Sequence, residues 1–283
     1  MEINSLKGVS LNSMFESFND AFSDYEMQLN KVELQRMLQR RGFVPELSFA
    51  VFNNNKIISF TFNGIGLYKG IKTAYDSGTG TIKEFREKGL ATKIFRHSIP
   101  FLKEAGVSQY LLEVLQHNSK AVSVYEKQGF KTSREFNYFI QVKSKIKFNF
   151  KIHNPAYEIL QIDLSHVKSL IEFWDFYPSW QNSFESIFRK PDEFVAMGAF
   201  MNQQILGYCI LEPESGDITQ IGVDKQFRRN GVGTLLLSEI LKLNNHHSVK
   251  LINNETSCDC IPGFLQSFSI PMRGKQFEMI KQL

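Results

Sequence analysis

The chain repeats itself. Phe85-Arg86-Glu87-Lys88-Gly89-Leu90-Ala91 returns as Phe227-Arg228-Arg229-Asn230-Gly231-Val232-Gly233, an offset of 142 from Arg86 to Arg228. Upstream, Leu47 to Phe52, then Asn53-Asn54-Asn55, then Ile57 to Phe62 reads as a hairpin with a polar turn. Phe194 to Phe200, Asn202-Gln203-Gln204 and Ile205 to Leu211 repeat it, at an offset of 147 from Leu47 to Phe194. Glu135-Phe136 returns as Gln276-Phe277, at 141. Three landmarks in one order at nearly one spacing indicate duplication. The 283 residues are therefore expected to form two copies of one domain, 1–145 and 150–283.

Each copy reads as helices, an antiparallel hairpin, a third strand, a helix, a strand, a short helix and a final strand. Met14, Phe15, Phe18, Ala21, Phe22 and Tyr25 recur at helical spacing. Asn30 with Glu33 predicts a capping box for a second helix that Gly42 ends. A strand over about 72–82 leads into the glycine loop, and the helix after it runs to about Glu104 with Gly106 beyond. Tyr110 to Leu115 is an apolar strand, and Asn118 caps a short helix that Gly129 stops. The second copy repeats the plan from about Asn154. The stretch 141–150 reads as a basic strand: Lys143, Lys145, Lys147 and Lys151 share one parity, and Ile146, Phe148, Phe150 and Ile152 the other. The fold class expected is α/β (α+β), a mixed, mostly antiparallel sheet flanked by helices in each copy.

Composition narrows the function classes. A net charge of +4, with basic and acidic residues interspersed, gives no clustered nucleic-acid footprint and mildly favours an anionic small molecule. No apolar run is long enough to span a bilayer, and the polar start Met1-Glu2-Ile3-Asn4 lacks a signal-peptide core. Cys209, Cys258 and Cys260 are too few for a disulfide scaffold, which predicts a reduced, cytoplasmic protein. The spacing of Cys258-Asp259-Cys260 and His246-His247 fits no standard zinc site, so no metal is expected.

The repeated loop carries the chemistry. A strand entering R-x-x-G-x-G/A and then a helix leaves free amide N–H groups at the positive end of a helix dipole, a ready anion site. Gly89 and Gly231 keep side chains away from that site, while Ala91 and Gly233 keep the first turn narrow. Neither loop is a dinucleotide fingerprint or a Walker loop, because neither the G-x-G-x-x-G order nor a following Gly-Lys-Ser/Thr is present.

With Asn118, Ala121, Tyr125, Gly129 and Phe130 following Arg86, Gly89 and Ala91, the first copy resembles the GNAT acetyltransferases. The second carries the loop after the strand Asp217 to Val223, but Phe264-Leu265-Gln266-Ser267-Phe268 replaces the tyrosine segment. The resemblance implies an N-acyltransferase using acetyl-CoA as donor and a small-molecule or peptide amine as acceptor. It implies direct transfer between splayed strands. With the charge and apolar-run readings above, no nucleic acid or membrane partner is expected, and the protein is expected to be a monomer or homodimer. The CoA contacts it implies are Thr81, Ile82, Arg86, Glu87, Lys88, Gly89, Leu90, Ala91 and Asn118 in the first copy. In the second they are Ile221, Val223, Arg228, Arg229, Asn230, Gly231, Val232, Gly233 and Thr234.

Tyr125 matches the tyrosine that protonates the leaving thiolate in that family; a phenol with a pKa of about 10 keeps its proton at neutral pH. Asp76 on the strand before the first loop and Glu113 on the next strand are candidate bases, with Asp217 the counterpart guess in the second copy. Two readings stay open: catalysis in one of the copies, and a non-catalytic acyl-CoA-binding protein. The aromatic run Phe173 to Trp180 lies where the resemblance places acceptor-pocket residues, or forms a packed surface.

Overall fold

The computed structural model describes residues 1–24, 28–148 and 156–283. These form two compact units: residues 1–133 with 277–283, and residues 134–276. The units are not the two halves of the sequence, because residues 134–142 belong to the second unit and the final seven residues to the first.

The first unit opens with β1 (Glu2–Ser5), α1 (Leu11–Ala21) and α2 (Lys31–Arg41). Asn30 and Glu33 form the predicted capping box, and Gly42 ends α2 at a left-handed φ of 78°; a cap of this kind contributes about 1 kcal/mol. The hairpin is β2 (Phe49–Asn53) and β3 (Lys56–Tyr68), followed by β4 (Ile71–Thr81). Beyond the loop come α3 (Leu90–Glu104), β5 (Gln109–Leu115) and α4 (Ser119–Lys127). Ala105 caps α3, and Gly106 follows at a φ of 76°. The strand order is β1-β2-β3-β4-β5, antiparallel except for parallel β4–β5. Beside β5 lies the end of β12 (Met272–Gln282), where Leu283 N–H donates to the Ser108 carbonyl. Phe18, Phe60 and Phe62 centre one core. Phe95, Tyr110, Phe130 and Met279 centre another.

The second unit begins inside β6 (Lys131–Val142) and continues with β7 (Glu158–Ile162), α5 (Leu164–Val167) and α6 (Phe184–Phe188). Then follow β8 (Val195–Met201), β9 (Gln204–Glu212), β10 (Asp217–Val223), α7 (Val232–Ile240), β11 (Ser248–Glu255) and α8 (Cys260–Ser267). The order is β6-β11-β10-β9-β8-β7, with only β10–β11 parallel.

The duplication extends to irregularities. Ser77 is an extra residue on β4, between the pairs Asn63↔Asp76 and Phe62↔Gly78. Thr219 is the extra residue on β10, between Leu211↔Ile218 and Ile210↔Gln220. Ile58 and Leu206 bulge from the hairpins, and their carbonyls accept from Ile82 N–H (3.0 Å) and Asp224 N–H (2.8 Å), just past β4 and β10. Bulges sharpen local twist and re-aim side chains, here at the strand leading into each glycine loop.

The strand expected over 141–150 is corrected. The strand stops at Val142, and Lys143–Lys145 form a 3-10 turn. Strand β6 instead runs upstream, where Phe136 and Phe139 are buried. Tyr25, Phe150, Lys151, Ile152 and Asn154, named in the sequence expectations, lie outside the described residues. No described helix is long and apolar enough to cross a membrane.

Candidate active site

The strands part where the chemistry is expected. The β4–β5 ladder holds Thr73↔Gln109, Ala74↔Tyr110 and Tyr75↔Leu111, and from Asp76 onward the two strands are unpaired with each other. Tyr125 Oη, on α4, lies 3.3 Å from Asp76 Oδ2. Asp76 also accepts from Gly78 N–H (3.0 Å) and Thr79 Oγ1 (2.8 Å). Burial pushes the Asp76 carboxyl above the ordinary carboxylate range, while the hydrogen bonds from Thr79, Gly78 and Tyr125 hold the rise in check. Tyr125 is half-buried, edge-on to Phe130 at 5.7 Å.

Glu113 accepts from Tyr75 Oη at 3.0 Å. Burial, and then the Glu113 charge, push the Tyr75 phenol well above its usual value, so it stays a donor. Adjacent strand residues point to opposite faces, so Tyr75 with Glu113 and Asp76 with Tyr125 form two separate pairs. Tyr110 Oη donates to Asn63 Oδ1. Sequence reasoning missed Tyr75, Thr79, Tyr110 and Asn63, because a buried tyrosine or threonine in a strand is ordinary core until its hydroxyl partner is known.

The loops have the expected backbone. Gly89 sits at a φ of 69° and Gly231 at 88°, each as the N-cap of its helix, and Glu87 and Arg229 share the left-handed region at 65° and 63°. Neither α3 nor α7 has a side-chain cap, whereas Ser10, Asn30 and Asn118 cap α1, α2 and α4. Side chains thus leave the first-turn amides of both loop helices unclaimed. A Cβ built on Gly89 meets nothing within 4 Å, so the space above this turn is open. These residues fit a diphosphate: backbone donors, a helix dipole and room. Leu90 and Val232 are buried and anchor the turns, while Ala91, Gly233 and Thr234 are half-buried. Lys88 lies over the Phe85 ring, and Asn230 is exposed.

Both loop arginines are spent mainly on their own chain. Arg86 Nε donates to the Thr81 carbonyl (3.3 Å), Nη1 to Asp24 Oδ2 (2.8 Å) and Nη2 to the Ala21 carbonyl (2.9 Å). Arg228 repeats this with Val223 O (3.0 Å) and Asp175 Oδ1 (2.7 Å). The hydrogen bond from Arg86, then the Lys83 charge, hold the Asp24 carboxyl below its ordinary range. Both arginines brace the strand end beneath the loop. The carboxylates were hidden because they stand 62 residues before Arg86 but 53 before Arg228, so a single repeat offset does not pair them. Asn118 Oδ1 caps α4 at Ala121 N–H (3.2 Å). Thr81 Oγ1 meets Ser59 Oγ at 2.8 Å, and Ile82 is buried.

The second unit keeps the opening and loses the pair. β10 and β11 share only Asp217↔Lys250 before diverging. The bulge register aligns Asp76 with Ile218, not Asp217, which instead aligns with Tyr75. The guess that Asp217 is the counterpart of Asp76 is corrected: Ile218 cannot accept a proton. The helix-end bonds align Phe130 N–H→Tyr125 O with Ile270 N–H→Leu265 O, which puts buried Leu265 in the tyrosine's place. A cleft at the divergence is lined by Trp174, Phe176, Tyr208, Gln220, Ile221 and Asn254, drawing in the aromatic run. Trp174 Nε1 donates to Tyr208 Oη (2.7 Å), which donates to Gln220 Oε1 (2.9 Å).

The sequence matches the Acetyltransferase (GNAT) family over residues 11–130 and 153–260. The chain belongs to the GNAT family. The N-alpha-acetyltransferase 30 of Schizosaccharomyces pombe is 30% identical over 98 residues, a match spanning 34% of this chain and 65% of that protein. The chain thus spans just under two thirds of that relative. Two solved structures share the fold across both GNAT copies. A GCN5-related N-acetyltransferase from Sphaerobacter thermophilus has a TM-score of 0.73 at 12% identity, covering 99% of this chain and 95% of that one. A tandem GNAT protein from the clavulanic acid biosynthesis pathway has a TM-score of 0.74 at 11% identity, covering 99% and 98%.

Proposed function

We propose that the first unit transfers an acetyl group from acetyl-CoA directly to an amine, and that the second unit binds CoA without catalysing transfer. The 3.3 Å contact between Tyr125 and Asp76, present in one copy and replaced by Leu265 and Ile218 in the other, carries this reading. The amides of residues 88–91 hold the diphosphate, and a main-chain N–H at the parted edge of β4 polarises the thioester carbonyl as charge develops. Asp76 takes the proton from the attacking amine, and Tyr125 gives its hydroxyl proton to the departing CoA sulfur. Their contact then returns the proton from Asp76 to Tyr125, so the pair ends the cycle as it began. The carbonyl–sulfur bond breaks, the carbonyl–nitrogen bond forms, and one proton moves from nitrogen to sulfur.

The relative named N-alpha-acetyltransferase makes peptide α-amino groups the first acceptors to try. The test is a panel of peptides, polyamines and amino acids scored for CoA thiol release, with wild type and Tyr125→Phe side by side, and calorimetry with CoA. The expected result is turnover by wild type alone, with equal CoA affinity in both. Wild-type turnover by Tyr125→Phe would overturn the reading. Two CoA equivalents are expected per chain, falling to one in Gly89→Glu or Gly231→Glu.

A further inference from the structure

Two thiols outside the proposed catalytic site are placed as a reactive pair. Cys258 Sγ and Cys260 Sγ are 2.8 Å apart at the start of α8. That separation is too short for two sulfurs on one tetrahedral zinc, where Zn–S bonds of about 2.3 Å set sulfurs about 3.8 Å apart. It approaches the disulfide bond length of about 2.05 Å. Cys258 is buried and Cys260 exposed, while the remaining thiol, Cys209, is buried in the sheet core.

The surroundings divide the roles. The hydrogen bond from Cys260 brings the Cys258 thiol down to about 7 against the effect of burial, with help from the N–H groups of Cys260 and Ile261; the Asp175 carboxylate opposes it weakly. The Cys260 thiol is pushed well up, by its hydrogen bond with Cys258 first and then by burial. Cys260 Sγ also faces Asp175 Oδ2 at 3.5 Å, and Asp175 Oδ1 is the carboxylate oxygen that holds Arg228. One thiolate is therefore stabilised at a helix start beside a thiol that can displace a leaving group from it.

We infer that Cys258-Asp259-Cys260 is a redox-active dithiol that low-molecular-weight disulfides oxidise, with Cys258 the attacking and Cys260 the resolving sulfur. The Cys258 thiolate attacks one sulfur of the small disulfide and expels its other half as a thiolate. Cys260 then gives up its proton and attacks the Cys258 sulfur, expelling the second small thiolate. Two protein thiols are oxidised, one small disulfide is reduced to two thiols, and an intramolecular S–S bond forms.

The test is the full chain in reduced-to-oxidised glutathione buffers, read by intact mass and by the peptide spanning residues 251–273. Wild type should lose two hydrogens reversibly within that peptide, with Cys209 unchanged. Cys260→Ser should stop at a glutathione adduct on Cys258, and Cys258→Ser should react at least tenfold more slowly. Wild type that keeps both thiols in fully oxidised glutathione would overturn the inference without relying on any variant. So would an adduct found on Cys260 rather than Cys258, or one equivalent of zinc shielding both thiols while no disulfide forms.

Discussion

Tyr125 and Asp76 stand 49 residues apart in sequence and 3.3 Å apart at the point where β4 leaves β5. In the proposed reaction neither works alone: the phenol needs a route for recovering its proton, and the carboxylate needs somewhere to discharge one. Tyr125→Phe is therefore expected to lower kcat by about 100-fold or more, within the usual range for losing one acid–base partner. Steady-state kinetics beside CoA calorimetry checks this, with Kd unchanged.

Asp76→Asn should separate activity from stability. Burial raises the Asp76 carboxyl in the folded protein, so ionising it there is harder than in the unfolded chain. The folded state therefore gains from this group while it is protonated, at pH below the unfolded value, and loses that gain as pH rises through the raised folded value. At neutral pH the substitution should leave the unfolding temperature equal or higher while turnover collapses. Thermal unfolding at pH 7, with the same amine assay, decides it. In wild type, kcat/KM should fall as pH drops through the raised value.

Gly64→Ala is expected to destabilise the first unit without touching the reactants. A Cβ there would lie 2.0 Å from the Arg41 carbonyl oxygen, a backbone atom that cannot swing aside. Overpacking of this kind costs about 1–3 kcal/mol, which a urea midpoint would register.

Cys258 should be alkylated by iodoacetamide with a half-maximal rate near pH 7, following the thiol that Cys260 brings down to about 7. Ordinary thiols titrate at about 8.5. The charged groups set about it are Asp175 and, through Asp175, Arg228. Peptide mapping across a pH series gives the profile, and a rate that rises only above pH 8 would contradict the arrangement.

Much of this fold was legible because its signals are local. The capping box at Asn30 and Glu33, the left-handed Gly42, the hairpin at Asn53 to Asn55 and the glycine loops each announce themselves within a few residues. Strand β10 lies at Asp217–Val223, as read. The four-residue strand β1 and the five-residue strand β7 were too short to show a period. The strand expected beyond Val142 arose because alternating lysine and apolar residues satisfy a period of two whether or not a neighbouring strand exists to pair with. In the candidate site, Tyr125 was named through the family motif it shares with Asn118, Ala121, Gly129 and Phe130. The Asp217 guess failed because the loop offset of 142 carries Asp76 to Ile218, and the matched bulges at Ser77 and Thr219 leave that offset unchanged. Asp24 and Asp175 were not legible, because their meaning depends on arginines far along the chain.

The membership of residues 277–283 in the first unit has a consequence for how this protein comes off the ribosome. Phe277, Met279 and Leu283 help fill the core around Phe95 and Tyr110, yet they are translated only after the whole of the second unit. Until residues 277–283 have been made, the core around Phe95 and Tyr110 lacks Phe277, Met279 and Leu283 and stays open on one side.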